Sequence, residues 1–152
     1  MRVKKGNFLV GLQVPHALVA APTNGVVGAR GLVMGAGAAR SLAEAEPGFP
    51  RLFAEAIRRE GVYRGGWWEY GLAVVGRYAA FQSKAHFRGR ADLRLIRLGA
   101  SRLREFLEAK PGLEVHMAFP GIGLGGLDPR EVLEAMEEAL GPEGARVVLY
   151  RL

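Results

Sequence analysis

The sequence predicts an α/β fold, a sheet covered by helices on both faces. Three observations carry that prediction. Two short, continuously apolar runs, ALVAAPTN (Ala17 to Asn24) and LEVHMAFP (Leu113 to Pro120), read as strands buried on both sides. Strand-like runs alternate with segments of helical periodicity along the chain, the pattern of an α/β sheet. Each of the two runs also empties into a glycine-rich loop that opens a helix. That places both loops at carboxyl ends of strands, where such sheets bind their ligands.

The elements follow in order. MRVKKGNFLVGLQVPHALVAA starts basic, but Gly11, Gln13 and Pro15 interrupt its apolar stretch, so a strand and loop are expected rather than a signal peptide. After the strand ALVAAPTN comes the loop NGVVGARGLVMGAG, and then a short helix, AARSLAEAEPG, stopped by Pro47-Gly48. FPRLFAEAIRREG is a second helix, with Pro50 near its start and Gly61 at its end. YGLAVVGRYAAFQSK predicts two short strands broken at Gly76. RADLRLIRLGASRLREFLEAKPG predicts the longest helix. Leu93, Ile96, Ala100, Leu103 and Leu107 form its apolar face, Asp92 caps it, and Pro111-Gly112 ends it. Past the strand LEVHMAFP and the loop GIGLGGLD, the helix DPREVLEAMEEALG has Asp128 at its N-cap, Pro129 in its first turn and Glu131 spaced for a capping box. ARVVLYRL closes the chain as a strand.

Composition bounds the function. A chain of 152 residues that is 49% hydrophobic suits one compact domain over residues 1–152. No apolar run approaches the roughly 20 residues of a membrane span. There is no cysteine, hence no disulfide or thiolate metal site. The histidines are His16, His86 and His116, with no HExxH pair, which argues against a catalytic zinc. The net charge of +6 suits anionic partners, small or nucleic acid. Asparagine occurs only at Asn7 and Asn24 and glutamine only at Gln13 and Gln82, a scarcity that resembles thermophile usage.

The two loops carry the chemistry. A helix start offers unpaired amide N–H groups and a partial positive charge to an oxyanion. Glycine lets a phosphate reach those groups and permits the φ > 0 conformations of an anion-binding nest. Gly121, Gly123, Gly125 and Gly126 crowd into six residues. Two such loops at equivalent strand ends suggest a cleft gripping a diphosphate from both sides; tight turns alone are the plainer explanation. Neither loop ends in GK[ST], which argues against a P-loop, and neither reads GxGxxG with an acidic residue at the next strand, which argues against a dinucleotide fold.

The ordered set PTNGVVGARGLVMGAGAA, FPRLF, FQSKAHFRGRADLRLI and FPGIGLGGLD resembles macro domains over nearly the whole chain. The resemblance is to the branch containing phage-type ADP-ribose-phosphate-processing proteins and the DNA ADP-ribosyl glycohydrolase antitoxins. It implies a three-layer α/β/α sandwich around a mixed sheet, with ADP-ribose in a cleft at the strand ends. It further implies Asn24 at the distal ribose, Met34, Gly35, Ala36 and Gly37 in a first phosphate loop, and Gly123, Leu124, Gly125 and Gly126 in a second. Lys84, in FQSKAHF, falls on the lysine that the antitoxin branch uses in catalysis. Asn7 stands where the family commonly has an acidic residue for adenine, and its amide oxygen can still accept a hydrogen bond. Ala21 replaces the first Asn of the family's NAAN-like segment.

Other residues have plainer readings. His86 caps local backbone or meets substrate phosphate; His116 is a satisfied histidine near the core; Asp128 is a helix cap. Trp67 and Trp68 pack at an edge or stack on a base. Arg30 is solvent-exposed or reaches a phosphate. The resulting expectation is a cytoplasmic, monomeric hydrolase that binds ADP-ribose and removes it from a modified target, with a nucleic-acid base as one candidate. Two alternatives stay open: a non-catalytic ADP-ribose-binding module and an ADP-ribose 1″-phosphate phosphatase. Where the Lys84 amine points discriminates hydrolysis from mere binding.

Overall fold

A computed structural model describes residues Met1 to Leu152. The strands are β1 (Arg2–Lys5), β2 (Ala17–Thr23), β3 (Val27–Gly28), β4 (Gly31–Leu32), β5 (Val62–Tyr63), β6 (Trp68–Glu69), β7 (Leu72–Val75), β8 (Tyr78–Gln82), β9 (Glu114–Ala118) and β10 (Val147–Arg151). The helices are α1 (Gly37–Ala45), α2 (Phe49–Glu60), α3 (Leu93–Glu108) and α4 (Pro129–Leu140). Six strands form a mixed sheet in the order β1-β10-β9-β2-β8-β7, in which only the β7–β8 pair is antiparallel. The carboxyl ends of β1, β10, β9, β2 and β8 therefore line one edge.

Period-two alternation in β2 builds both cores. Leu18 and Ala20 face α3 and α4, meeting Ile96, Leu103, Leu107, Val132 and Met136. Val19 and Ala21 face α1 and α2, meeting Leu42, Phe53 and Ile57. Each fully buried side chain of this size contributes about 1.5–3 kcal/mol of hydrophobic stabilisation, so both faces must be covered. That is why β2 is apolar from Ala17 through Pro22. The result is the predicted three-layer α/β/α sandwich.

Local signals set the element ends. Asp92 and Asp128 cap α3 and α4 by accepting from Arg94 N and Arg130 N. The capping box expected at α4 does not form: Glu131 is exposed and Asp128 holds Arg130 N without a reciprocal bond. At the other end of α3, the Arg146 guanidinium donates to the carbonyl of Leu107 in the last turn and to that of Lys110 just beyond the helix. Gly76, at φ +61, makes the turn between β7 and β8. The hairpins β3–β4 and β5–β6 were not anticipated. Two-residue strands carry no readable periodicity.

Candidate functional site

Three loops meet at the strand ends. β9 and β2 are neighbours, and β2 and β8 are neighbours, with Thr23 opposite Gln82. The loops following β2, β9 and β8 hold the first glycine run, the second glycine run and Lys84 respectively. The segment Ser83–Asp92 ties them together. Gly25 N donates to Ala85 O at 2.8 Å, Ser83 N to Thr23 O at 2.9 Å, and Ala91 N to Gly125 O at 3.1 Å. The Arg90 guanidinium donates to Gly126 O at 3.3 Å.

In the first loop, Asn24 is a latch. Its Oδ1 accepts from Val26 N at 2.8 Å and its Nδ2 donates to Val33 O at 3.0 Å, while Val33 N donates to Val26 O. The base of the loop is closed, and β3–β4 stands outside it. Asn24 is buried, and one amide N–H remains uncommitted. Beyond the latch, every amide from Met34 to Ala39 lacks a backbone acceptor. Met34 buries its side chain in the core, so it can offer a ligand only its backbone. Ala36 caps α1 without any side-chain bond, leaving that helix start open to an anion. A Cβ added to Gly35 or Gly37 would meet nothing within 4 Å.

The second loop differs from the expectation. A Cβ at Gly121 would come within 2.8 Å of Ile96 Cδ1, and one at Gly125 within 3.1 Å of Ala91 Cβ. One at Gly126 would come within 3.0 Å of the Arg90 guanidinium. These glycines make room for the protein's own side chains. Gly125 N and Gly126 N are also consumed, by Ile122 O and Gly123 O. The open part is shorter: Gly123, at φ +66 with no neighbour within 4 Å, and the unpartnered amides from Gly121 to Leu124. Leu124 is 98% exposed at the tip. The α4 start behind this loop already holds the Asp128 carboxylate.

Lys84 is half-buried, and its Nζ donates to Phe87 O at 3.2 Å, across its own turn. The amine thus rests on the KAHF turn. Phe87, 39% exposed, is flanked by the His86 ring at 4.3 Å between centroids and by the Arg88 guanidinium at 5.6 Å. His86 Nδ1 accepts from Arg88 N, the local capping role. Lys84, Arg88 and Arg90 enter no ion pair. The β5–β6 hairpin flanks this turn, with Tyr63 exposed and 5.2 Å from the half-buried Trp68. Glu69 pins the hairpin to α3 and to Arg64; chiefly the hydrogen bond from Arg94 holds its carboxyl below the usual range.

Asn7 lies apart, after β1 at the sheet edge, where its Oδ1 accepts from Leu9 N at 2.9 Å. Arg30 is exposed at the tip between β3 and β4. His116 lies on the opposite side of the sheet from α3 and α4, between Tyr150 Oη at 2.7 Å and Glu114 at 3.0 Å. It is the satisfied core histidine expected. Two supporting residues escaped the sequence reading. Tyr70, wholly buried, has its hydroxyl pKa raised by desolvation; it donates to Asn24 O at 2.7 Å and meets Thr23 Oγ1 at 2.5 Å. Gln82 lies beneath Lys84. The available signal for it was glutamine's rarity in this chain.

The macrodomain of Thermus aquaticus DarG superposes with a TM-score of 0.75 at 25% identity, covering 99% of this chain and 97% of that one. The macrodomain of Mycobacterium tuberculosis DarG gives 0.68 at 19% identity, with 99% and 97% covered. Thermosipho africanus DarTG, solved in complex with ADP-ribose, gives 0.66 at 20% identity over 95% of this chain and 39% of that longer one. No family model matches the chain, and no curated protein matches it in sequence.

Proposed function

The chain is a macro domain, and we propose that it binds ADP-ribose across its strand ends and removes it hydrolytically from a nucleic-acid base. The observation that carries the proposal is the linear order of groups along one sheet edge. Asn7 follows β1, the second glycine loop follows β9, the first glycine loop and Asn24 follow β2, and Lys84 follows β8. With strands about 4.8 Å apart, β1 and β8 are separated by roughly 19 Å, a span suited to an elongated ligand lying across the ends. The adenine then falls near Asn7 and the diphosphate between the free amides of Met34–Ala39 and Gly121–Leu124. The distal ribose falls between Asn24 and Lys84. The ADP-ribose held by the Thermosipho africanus relative supports this ligand.

Within that pose, Gly35, Ala36, Gly37, Gly123 and Leu124 act through backbone N–H groups. Gly125 and Gly126 shape the second loop. Asn24 fixes the loop base and directs its remaining N–H to the ribose. Cleavage of a glycosidic bond builds positive charge at the anomeric carbon, so phosphate binding in the ground state does not by itself lower the barrier. Lys84 engages that carbon after giving up its single bond to Phe87 O, a charge-assisted one whose loss costs about 1.5–3 kcal/mol. The bond electrons leave with the target group, and water supplies the hydroxyl and the proton that complete the products.

The surroundings of Lys84 favour a nucleic-acid target. Unpaired Arg88 and Arg90 suit a phosphate backbone, and exposed Phe87 and Tyr63 suit base stacking. The test is release of free ADP-ribose from an ADP-ribosylated oligonucleotide by the parent and by Lys84→Ala. Parent turnover that the variant loses supports the proposal; equal turnover refutes the role of Lys84. One observation favours a second reading, a binding module without catalysis: the Lys84 amine is satisfied on its own turn. Tight ADP-ribose binding with no release from any target decides for it.

A further inference from the structure

Gln82 has no exposed surface. Its Oε1 accepts from Tyr70 N at 2.9 Å and from Gly71 N at 3.1 Å. Its Nε2 donates to Trp68 O at 2.8 Å and, more weakly, to Lys84 O at 3.4 Å. A carboxamide has two donor hydrogens and two acceptor lone pairs, and all four are used. The acceptor half stays within the sheet, holding the entry to β7. The donor half reaches outward, to the β5–β6 hairpin and to the first residue of the KAHF turn.

The same junction holds the first glycine loop. Trp68 N donates to Gly25 O at 2.7 Å, and Gly25 N donates to Ala85 O. A Cβ at Gly25 would come within 2.8 Å of Gln82 Nε2 and 3.1 Å of Ala85 O. Three segments of the site therefore converge on one buried amide group. His116 is the natural contrast. It is likewise buried and hydrogen-bonded, to Tyr150 and Glu114, and bonds neither Lys84 nor the glycine loops.

We propose that Gln82 is a positioning residue for Lys84, setting where the lysine's turn begins relative to the cleft. The inference rests on the role given to Lys84 above. Placement matters steeply at a reacting carbon: an error of about 1 Å can cost on the order of a hundredfold in rate. Without the Nε2 donor, the Lys84 and Trp68 carbonyls lose their common anchor and the turn shifts, while the Asn24 bonds to Val26 and Val33 keep the free amides of the first glycine loop in place.

The experiment compares Gln82→Met, similar in length but unable to form these bonds, with His116→Gln. Turnover is measured on an ADP-ribosylated oligonucleotide, affinity with ADP-ribose, and Lys84 reactivity as its acetylation rate by an amine-reactive ester, followed by peptide mass spectrometry. Gln82→Met should lower kcat at least about tenfold with KM and ADP-ribose Kd within about threefold, in the pattern of a lost transition-state contact. His116→Gln should leave kcat within about threefold. Lys84 acetylation should change at least about threefold in Gln82→Met, with Lys4 and Lys110 unchanged. Equal kcat losses in both variants, or an unchanged Lys84 rate, overturn the proposal. A parent protein without turnover overturns the hydrolase reading instead, and the acetylation result then decides the positioning role alone. If Gln82→Met does not fold, Gln82→Glu keeps both acceptor bonds, removes both donors, and takes the same readouts with the same expected and contrary results.

Discussion

Gly35→Val isolates the diphosphate contact from the fold. The backbone at Gly35 is not left-handed, and an added Cβ meets no protein atom within 4 Å. A valine there should leave the unliganded protein's melting temperature within about 2 °C, consistent with a surface change of at most ~0.5 kcal/mol. Because Gly35 itself lies among the free amides of Met34–Ala39, where the proposed pose sets the phosphates, the same side chain should obstruct them. A hydrogen bond to a charged group contributes about 1.5–3 kcal/mol, so loss of two gives about 3–6 kcal/mol. At 1.4 kcal/mol per tenfold, affinity falls by at least about a hundredfold. Isothermal titration with ADP-ribose measures it, with Gly125→Val as the contrast. That variant presses Cβ against Ala91 at 3.1 Å and should lower the unliganded melting temperature. ADP-ribose affinity within threefold of the parent's in Gly35→Val would refute the placement of the diphosphate.

Lys84→Ala should leave ADP-ribose affinity within about threefold and reduce release from the modified target at least about a hundredfold, measured in single turnover. Asn24→Ala removes two loop bonds, lowering stability by about 1–3 kcal/mol in urea melts. Its affinity for ADP-ribose should fall about 0.5–1.5 kcal/mol further than its affinity for ADP, the contribution of the ribose contact; equal losses would confine Asn24 to the latch. Burial holds the His116 imidazole below its ordinary pKa despite the opposing pull of Glu114, with Arg2 and Lys4 adding to the lowering. The unfolded chain therefore binds the proton more readily, and the contribution of His116 to stability is complete above about pH 6.5 and lost as pH falls through the lower folded value. Urea melts between pH 8 and 5 should show that decline, and His116→Gln should flatten it. Asp92→Ala should cost about 1 kcal/mol through the lost cap of α3, read as a lower melting temperature.

Much of the scaffold was legible because its signals are local. The buried strand β2 showed as an unbroken apolar run, α3 as a 3.6-residue stripe behind Asp92, and the β7–β8 turn as a lone glycine between β-formers. Glycine was ambiguous. In sequence Gly121, Gly123 and Gly125 look alike, yet Ile96 and Ala91 claim the space beside two of them, and only Gly123 faces open space. Those neighbours come from α3 and its approach, distant in the chain, so spacing could not separate packing from ligand access. The β5–β6 hairpin was illegible for a related reason: its pairing is two residues long and Gln82 and Arg94 hold it from outside. The family resemblance singles out Asn24 for the ribose, but its two loop bonds depend on Val33 returning to Val26 through a hairpin the sequence does not show.

An amide-resolved NMR titration of the ¹⁵N-labelled protein with ADP-ribose tests the central claim most directly. The account predicts saturable shifts concentrated on Met34 to Ala39, on Gly121 to Leu124 and on Asn24, with Asn7 and Lys84 marking the two ends. Saturable shifts confined to other surfaces, or no shifts at millimolar ADP-ribose, would contradict it.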